Sequence, residues 1–259
     1  MKSKFFIAIT LMVVLCFFTE WAYAHFLGLI PSDDIIEQGE SKNVIIKASF
    51  FHPFEWAFMN MEKPETVGVV INREKQNLLD KLKEQTVNNK KTWQIDYTIK
   101  SPGNYIFYLE PKPYWEAAEE TFIVHYAKVI INAYGLDSDW NKELGLKGEI
   151  VPLTRPYGLW SGNVFQGIVK KNGTPLPYTK VEVEFYNEKQ SIKAPTGSHV
   201  TQEIQSDQNG VFTYAMPLAG WWGFAALFED DKQLSHNGKE YPVEIGAVLW
   251  VKTVNYEIK

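Results

Sequence analysis

Cysteine is almost missing from this chain of 259 residues: there is one, Cys16. Leu15 ahead of it is not small, so the position does not fit a lipid attachment site. With no second thiol, a disulfide and a thiolate metal site are both excluded. Metal chemistry would fall to imidazole, carboxylate, thioether or a terminal amine. An excess of positive charge is also lacking, with 26 basic against 31 acidic residues, which leaves no electrostatic footprint for nucleic acid. Only 22% of residues are charged and five are Met, which argues against a coiled coil or a disordered tail. Gly-x-Ser-x-Gly, His-Glu-x-x-His and phosphate-cradling glycine loops do not occur. The expectation is a binding protein and not an enzyme.

What is present begins with an export signal. Lys2 and Lys4 precede an apolar run, Phe5 to Phe18, broken only by Thr10, and Ala22-Tyr23-Ala24 supplies the small-x-small pattern of a cleavage site. The run is about 14 residues, short of the roughly 20 a spanning helix needs. Residues 1–24 are therefore expected to be removed, leaving a periplasmic protein that starts at His25. Taking Lys2, Lys4 and Glu20 from the totals leaves 24 basic and 30 acidic residues, net −6. That balance mildly favours cationic partners.

The remainder reads as all-β. Runs rich in β-branched and aromatic residues recur at 41–49, 67–72, 92–99, 104–109, 121–125 and 128–133, separated by turn residues such as Ser101-Pro102-Gly103-Asn104. One helix is expected at Asn77 to Val87, with Leu78, Leu79 and Leu82 on one side. The polar stretch Gly135 to Gly148 reads as a linker, with a boundary near residue 140. Seven further short runs follow between 149 and 256, with turn signals at Asn172-Gly173 and Asn209-Gly210. From Gly162 to Trp222 the pattern resembles prealbumin-like and carboxypeptidase-regulatory modules, in which the Asp207-Gln208-Asn209-Gly210 turn is a fold device. The fold expected is two tandem β-sandwiches, Ig-like or prealbumin-like, over 25–140 and 141–259.

Five histidines carry what chemistry there is. Cleavage after Ala24 would free the amine of His25, and amine and ring together can close one chelate on an ion. The amine has a pKa near 8, so a metal displaces its proton readily, and such nitrogen ligands suit Cu(II), Ni(II), Co(II) and Zn(II). His52 ends a β-run and is held extended by Pro53, with Glu55, Met59 and Met61 close in sequence; the methionines read as packing. His125 shares by alternation the side of Ile123, pointing inward or into a cleft. His199 and His236 read as a loop and a hairpin tip, without ligand roles. The segment Lys112 to Glu120 sets rings and carboxylates together, fit either to wall a site or to cover a sheet edge.

Several segments together resemble a known family: His25-Phe26 with Ile30-Pro31-Ser32, His52-Pro53-Phe54-Glu55 with Met59-x-Met61-Glu62-Lys63-Pro64, Tyr108 to Glu116, Phe122 to Val129, Gly220 to Leu227 and Glu244 to Trp250. They are similar to the periplasmic accessory component of energy-coupling-factor nickel and cobalt transporters. The resemblance covers almost the whole mature chain. It implies a protein that captures Ni(II) or Co(II) and passes it to membrane components of such a transporter. It implies His25, His52 and His125 as ligands; Glu55 is a further candidate, as fourth ligand or behind the others. Copper carriers and copper-dependent polysaccharide monooxygenases also set an N-terminal histidine chelate on a sandwich, so Cu(II) binding with or without oxidation is the rival expectation. A structural or adhesive sandwich pair without metal is the third.

Overall fold

The computed structural model describes residues 25–257; the export signal expected at 1–24 lies outside them. An 11-stranded sheet forms the centre. Its main path runs Gln202–Gln205, Lys180–Phe185, Gly220–Glu229, Val243–Val254, Thr121–Ala133, Gly103–Glu110, Thr66–Ile71 and Glu74–Asn77. Neighbours along this path are antiparallel except at one join. Thr121–Ala133 and Val243–Val254 run parallel, from Phe122 opposite Val243 to Val129 opposite Trp250. Strands from both sides of residue 140 therefore meet in one sheet, and the stretch around that boundary, between Ala133 and Gly148, carries no strand.

The strand period of two explains why both faces of this sheet are covered. On one face Ile123, Ala127, Val129, Val248 and Trp250 pack with Phe26, Leu29, Phe51 and Ile95. Those partners belong to a second sheet ordered Phe26–Pro31, Asn43–His52, Lys90–Thr98 and Leu82–Val87. On the other face Ile130, Phe224, Ala247 and Leu249 pack with Ile150, Phe165, Val169 and Phe212. Those come from Gly148–Pro152, Val164–Lys171 and Val211–Ala215. The result is all-β, with two sandwiches sharing their middle layer. Phe26–Pro31 is buried along its whole length, and Trp250 Nε1 donates to the Leu27 carbonyl at 2.9 Å, fixing the start of the chain against the central sheet. On the opposite face Lys128 pairs with Glu149 at 2.7 Å, both side chains 2% exposed.

The helix expected over Asn77 to Val87 is a correction. The segment is a 3₁₀ turn at Leu79–Lys81 followed by the strand Leu82–Val87. That strand pairs with Lys90–Thr98, Leu82 opposite Ile95 and Val87 opposite Lys90. Asn88 and Asn89 both hold positive φ, 48° and 60°, the signature of a two-residue hairpin turn with the twist that strands require. Leu78 is buried, so the leucines anchor a turn and a strand start and do not form a helical stripe.

Candidate metal centre

His25 immediately precedes the first strand. Phe26 pairs with Phe51, so continuation of that register sets His25 beside His52, and their ring centroids are 4.7 Å apart. Phe50, whose ring faces the same region, stacks on His25 at 5.6 Å and meets the edge of His125 at 5.9 Å. Two imidazoles, His25 and His125, therefore flank one phenyl ring, and His52 lies against His25, so the three histidines expected from sequence come together.

Two carboxylates complete the cluster. Glu116 ends the short strand Tyr114–Glu116, which pairs with Thr121–Ile123, and its Oε2 lies 3.3 Å from His25 Nε2. Glu244 stands opposite Ile123 across the parallel join, and its Oε1 lies 3.4 Å from His125 Nε2. Burial lowers the His25 ring to a pKa of about 4, with the positive charges of His52 and His125 acting the same way and Glu116 and Glu244 opposing. At neutral pH the ring is uncharged, with a lone pair to offer. Burial alone would raise the Glu244 carboxyl, but the hydrogen bond and charge of His125, with Lys180 and His25, hold it below the usual carboxylate range.

His125 is 1% exposed. Its ring lies across the neighbouring strand at Gly246, where a Cβ would stand 2.3 Å from His125 Cδ2 and 2.6 Å from Nε2. Only glycine leaves that space. With Nε2 turned to Glu244, Nδ1 is buried and meets no hydrogen-bond partner. A buried ring nitrogen without a partner is costly. His125, Phe50, Met61 and Tyr114 line a cavity of about 40 Å³, room for about one small group.

Glu55 sits elsewhere in its electrostatics. Its carboxyl is raised by burial, its Oε2 meets no hydrogen-bond partner, and its charge acts on Glu184; the charges acting on His25 come from Glu116 and Glu244. Glu116 and Glu244 were not singled out from the sequence. Glu116 lies in the Lys112 to Glu120 segment, whose sequence fits a site wall and a sheet-edge cover equally, and Glu244 and Gly246 lie in a segment that carries the family resemblance without marking either residue as part of a site. His199 Nδ1 pairs with Thr196 Oγ1 at 2.8 Å, and His236 stacks on Trp115 at 4.3 Å, each in a local structural contact. Among the described residues no group of three or more His, Cys, Asp or Glu side chains is already drawn up around one ion position.

The family described as "Domain of unknown function (DUF4198)" matches residues 22–230. No curated protein matches. Solved structures that match this chain include fibronectin(III)-like modules of Clostridium thermocellum CbhA, 8% identical with a TM-score of 0.22, covering 91% of this chain and 99% of that one. The Yersinia pseudotuberculosis adhesin InvE is 13% identical with a TM-score of 0.21, covering 86% and 58%. The Escherichia coli alpha-2-macroglobulin is 9% identical with a TM-score of 0.26, covering 88% and 16%. Similarity at this level carries no inference about function.

Proposed function

The chain belongs to that family, whose description names no activity, and from the site together with the resemblance in its sequence we propose that the mature protein binds one divalent transition-metal ion, Ni(II) or Co(II), as cargo for a membrane transporter. The observation that carries this is His125: a buried imidazole whose Nε2 faces Glu244 and whose Nδ1 has no hydrogen-bond partner, beside the adjacent rings of His25 and His52. A ligating histidine is commonly oriented by a carboxylate on its second nitrogen, and the His125–Glu244 pair has that form. The His25 ring is neutral at pH 7, as a ligand must be. Export would add the amine of His25 and with it a chelate that the uncut chain cannot form. Imidazole and amine nitrogens suit Ni(II) and Co(II), and delivery to a partner calls for an exchangeable site with an open position.

Calorimetry with Ni(II) and Co(II) tests the reading on three proteins: the chain starting at His25, the same chain with one glycine added ahead of His25, and His25→Ala. The first should bind a single equivalent. The second keeps every side chain but turns the His25 amine into an amide and moves the free amine one residue away; its affinity should fall by at least about tenfold, since losing a ligand costs no less than losing a ligand's outer partner. Equal affinity in all three proteins sinks the proposal.

A further inference from the structure

A second cleft shares no residue with the histidine cluster. It has a volume of about 330 Å³ and lies on the outer face of the sheet that carries His52, closed on one side by the segment around Tyr186. One wall is aromatic. Trp56 meets Phe58 edge to face at 4.9 Å and Tyr186 at 5.1 Å. The floor sets uncharged polar side chains beside apolar ones such as Val87 and Trp93. Gln85 pairs with Thr92, and Gln94 with Lys47, so strand alternation places Gln85, Thr92, Gln94 and Ser49 on one face, away from the core residues Ile46, Ala48 and Ile95. At the rim Lys47 Nζ lies 3.3 Å from Glu188 Oε1, and Glu188 also bonds the Tyr186 hydroxyl.

Trp56 carries an independent mark. Its φ is 60°, a left-handed conformation that a bulky side chain adopts only at a cost. Such strain concentrates where a side chain is held for a task.

We propose that this cleft binds a saccharide, taking one or two hexopyranose units. A pyranose ring has an apolar face of C–H groups and an edge of hydroxyls that each donate and accept. The first matches an aromatic wall; the second matches amide and hydroxyl side chains with one carboxylate. The volume lies at the lower end of ordinary small-ligand sites. A peptide is the competing occupant, since Leu82–Val87 is an edge strand and its Gln85, Thr86 and Val87 line the cleft; the uncharged amide and hydroxyl side chains of the paired strands beside an aromatic wall favour the sugar, and trialanine in the test decides between them.

The test uses the protein beginning at His25, without metal. Cellobiose, maltose and N,N′-diacetylchitobiose are titrated to about 50 mM, a range that reaches weak millimolar affinities, with saturation-transfer NMR and tryptophan fluorescence as readouts. At least one disaccharide should give a saturable response. Gln94→Ala and Glu188→Gln, both away from the core, should each weaken it by roughly fivefold or more, with unchanged thermal unfolding. Trp56→Ala should abolish it; because that change opens the aromatic cluster, the two surface variants decide if it fails to fold. No saturable response to any of the three sugars overturns the proposal. So does a response unchanged by both surface variants, or saturable binding of trialanine but of no sugar.

Discussion

Gly246→Ala offers the sharpest probe of the histidine cluster, because it adds a methyl group where the imidazole of His125 already lies. The new Cβ would stand 2.3 Å from Cδ2, more than 1 Å inside ordinary contact, which begins near 3.4 Å. The backbone at Gly246 is held by antiparallel pairing with Leu227 and parallel pairing with His125, so it cannot retreat. The ring must rotate, and in rotating it leaves Glu244. Overpacking of this kind costs about 1–3 kcal/mol, or a fall in Tm of roughly 2–12 °C for a chain this size. Loss of the carboxylate that orients a ligating ring weakens metal binding by about 10–100-fold. The control is the same substitution in a His125→Ala background. There the space is free, so the penalty should vanish, and alanine in place of glycine should even stabilise by up to about 1 kcal/mol. Scanning calorimetry and Ni(II) titration of the four proteins measure both effects. An equal penalty in both backgrounds would show that His125 does not occupy the space over Gly246, and the geometry argued for the site would be wrong.

Other expectations follow from the same contacts. Mass spectrometry of protein recovered from the periplasm should give an N-terminus at His25, and any other start removes the chelate. Lys128→Met should cost about 3–5 kcal/mol by urea denaturation, since it strands a buried carboxylate. Glu149→Leu should cost at least as much, because Glu149 also accepts the amides of Leu144, Gly145 and Leu146. For the His25 ring the folded pKa of about 4 lies below the unfolded value of 6.5, so the unfolded chain takes up more protons between them and stability falls as pH drops through that window. Thermal melts from pH 7 to pH 4 should show a smaller acid loss in His25→Ala than in the parent. Saturating Ni(II) should raise Tm in proportion to the logarithm of its concentration, and EDTA should reverse the rise.

Much of the fold was legible because strands announce themselves locally. Runs such as 41–49 and 104–109 combine β-branched and aromatic residues with turn residues at their ends, and they are strands in the structure. The segment 77–87 misled because three leucines at helical spacing are also what a turn and a strand start need. The stronger signal was Asn88-Asn89 just beyond it, which can hold two consecutive left-handed residues and so closes a hairpin. Which strands neighbour each other was not legible. The join of Thr121–Ala133 with Val243–Val254 links segments more than a hundred residues apart, and alternation within either strand is the same whichever partner it takes.

The histidine cluster divides along the same line. His25 and His52 could be singled out because each has a local mark, the Ala22-Tyr23-Ala24 pattern before one and a proline after the other, and a single antiparallel register then brings them together. His125 shows only that it points inward. What makes it more than a buried histidine is Glu244 at its Nε2 and Gly246, whose missing side chain leaves the space its ring fills, and both belong to the strand across the parallel join. A glycine in a strand ordinarily weakens it, so Gly246 read alone is a defect; beside His125 it is the only residue that fits. The same reasoning separates Glu116 from Glu55. Both lie close in sequence to aromatic residues, but Glu116 is set against His25 by the pairing of Trp115 with Phe122, whereas Glu55 follows the turn after His52 towards Glu184. If that distinction holds, Glu116→Gln should change the pH dependence of Ni(II) binding by calorimetry while Glu55→Gln leaves it as in the parent. The reverse result would move the acidic partner of the cluster to the other side of His52.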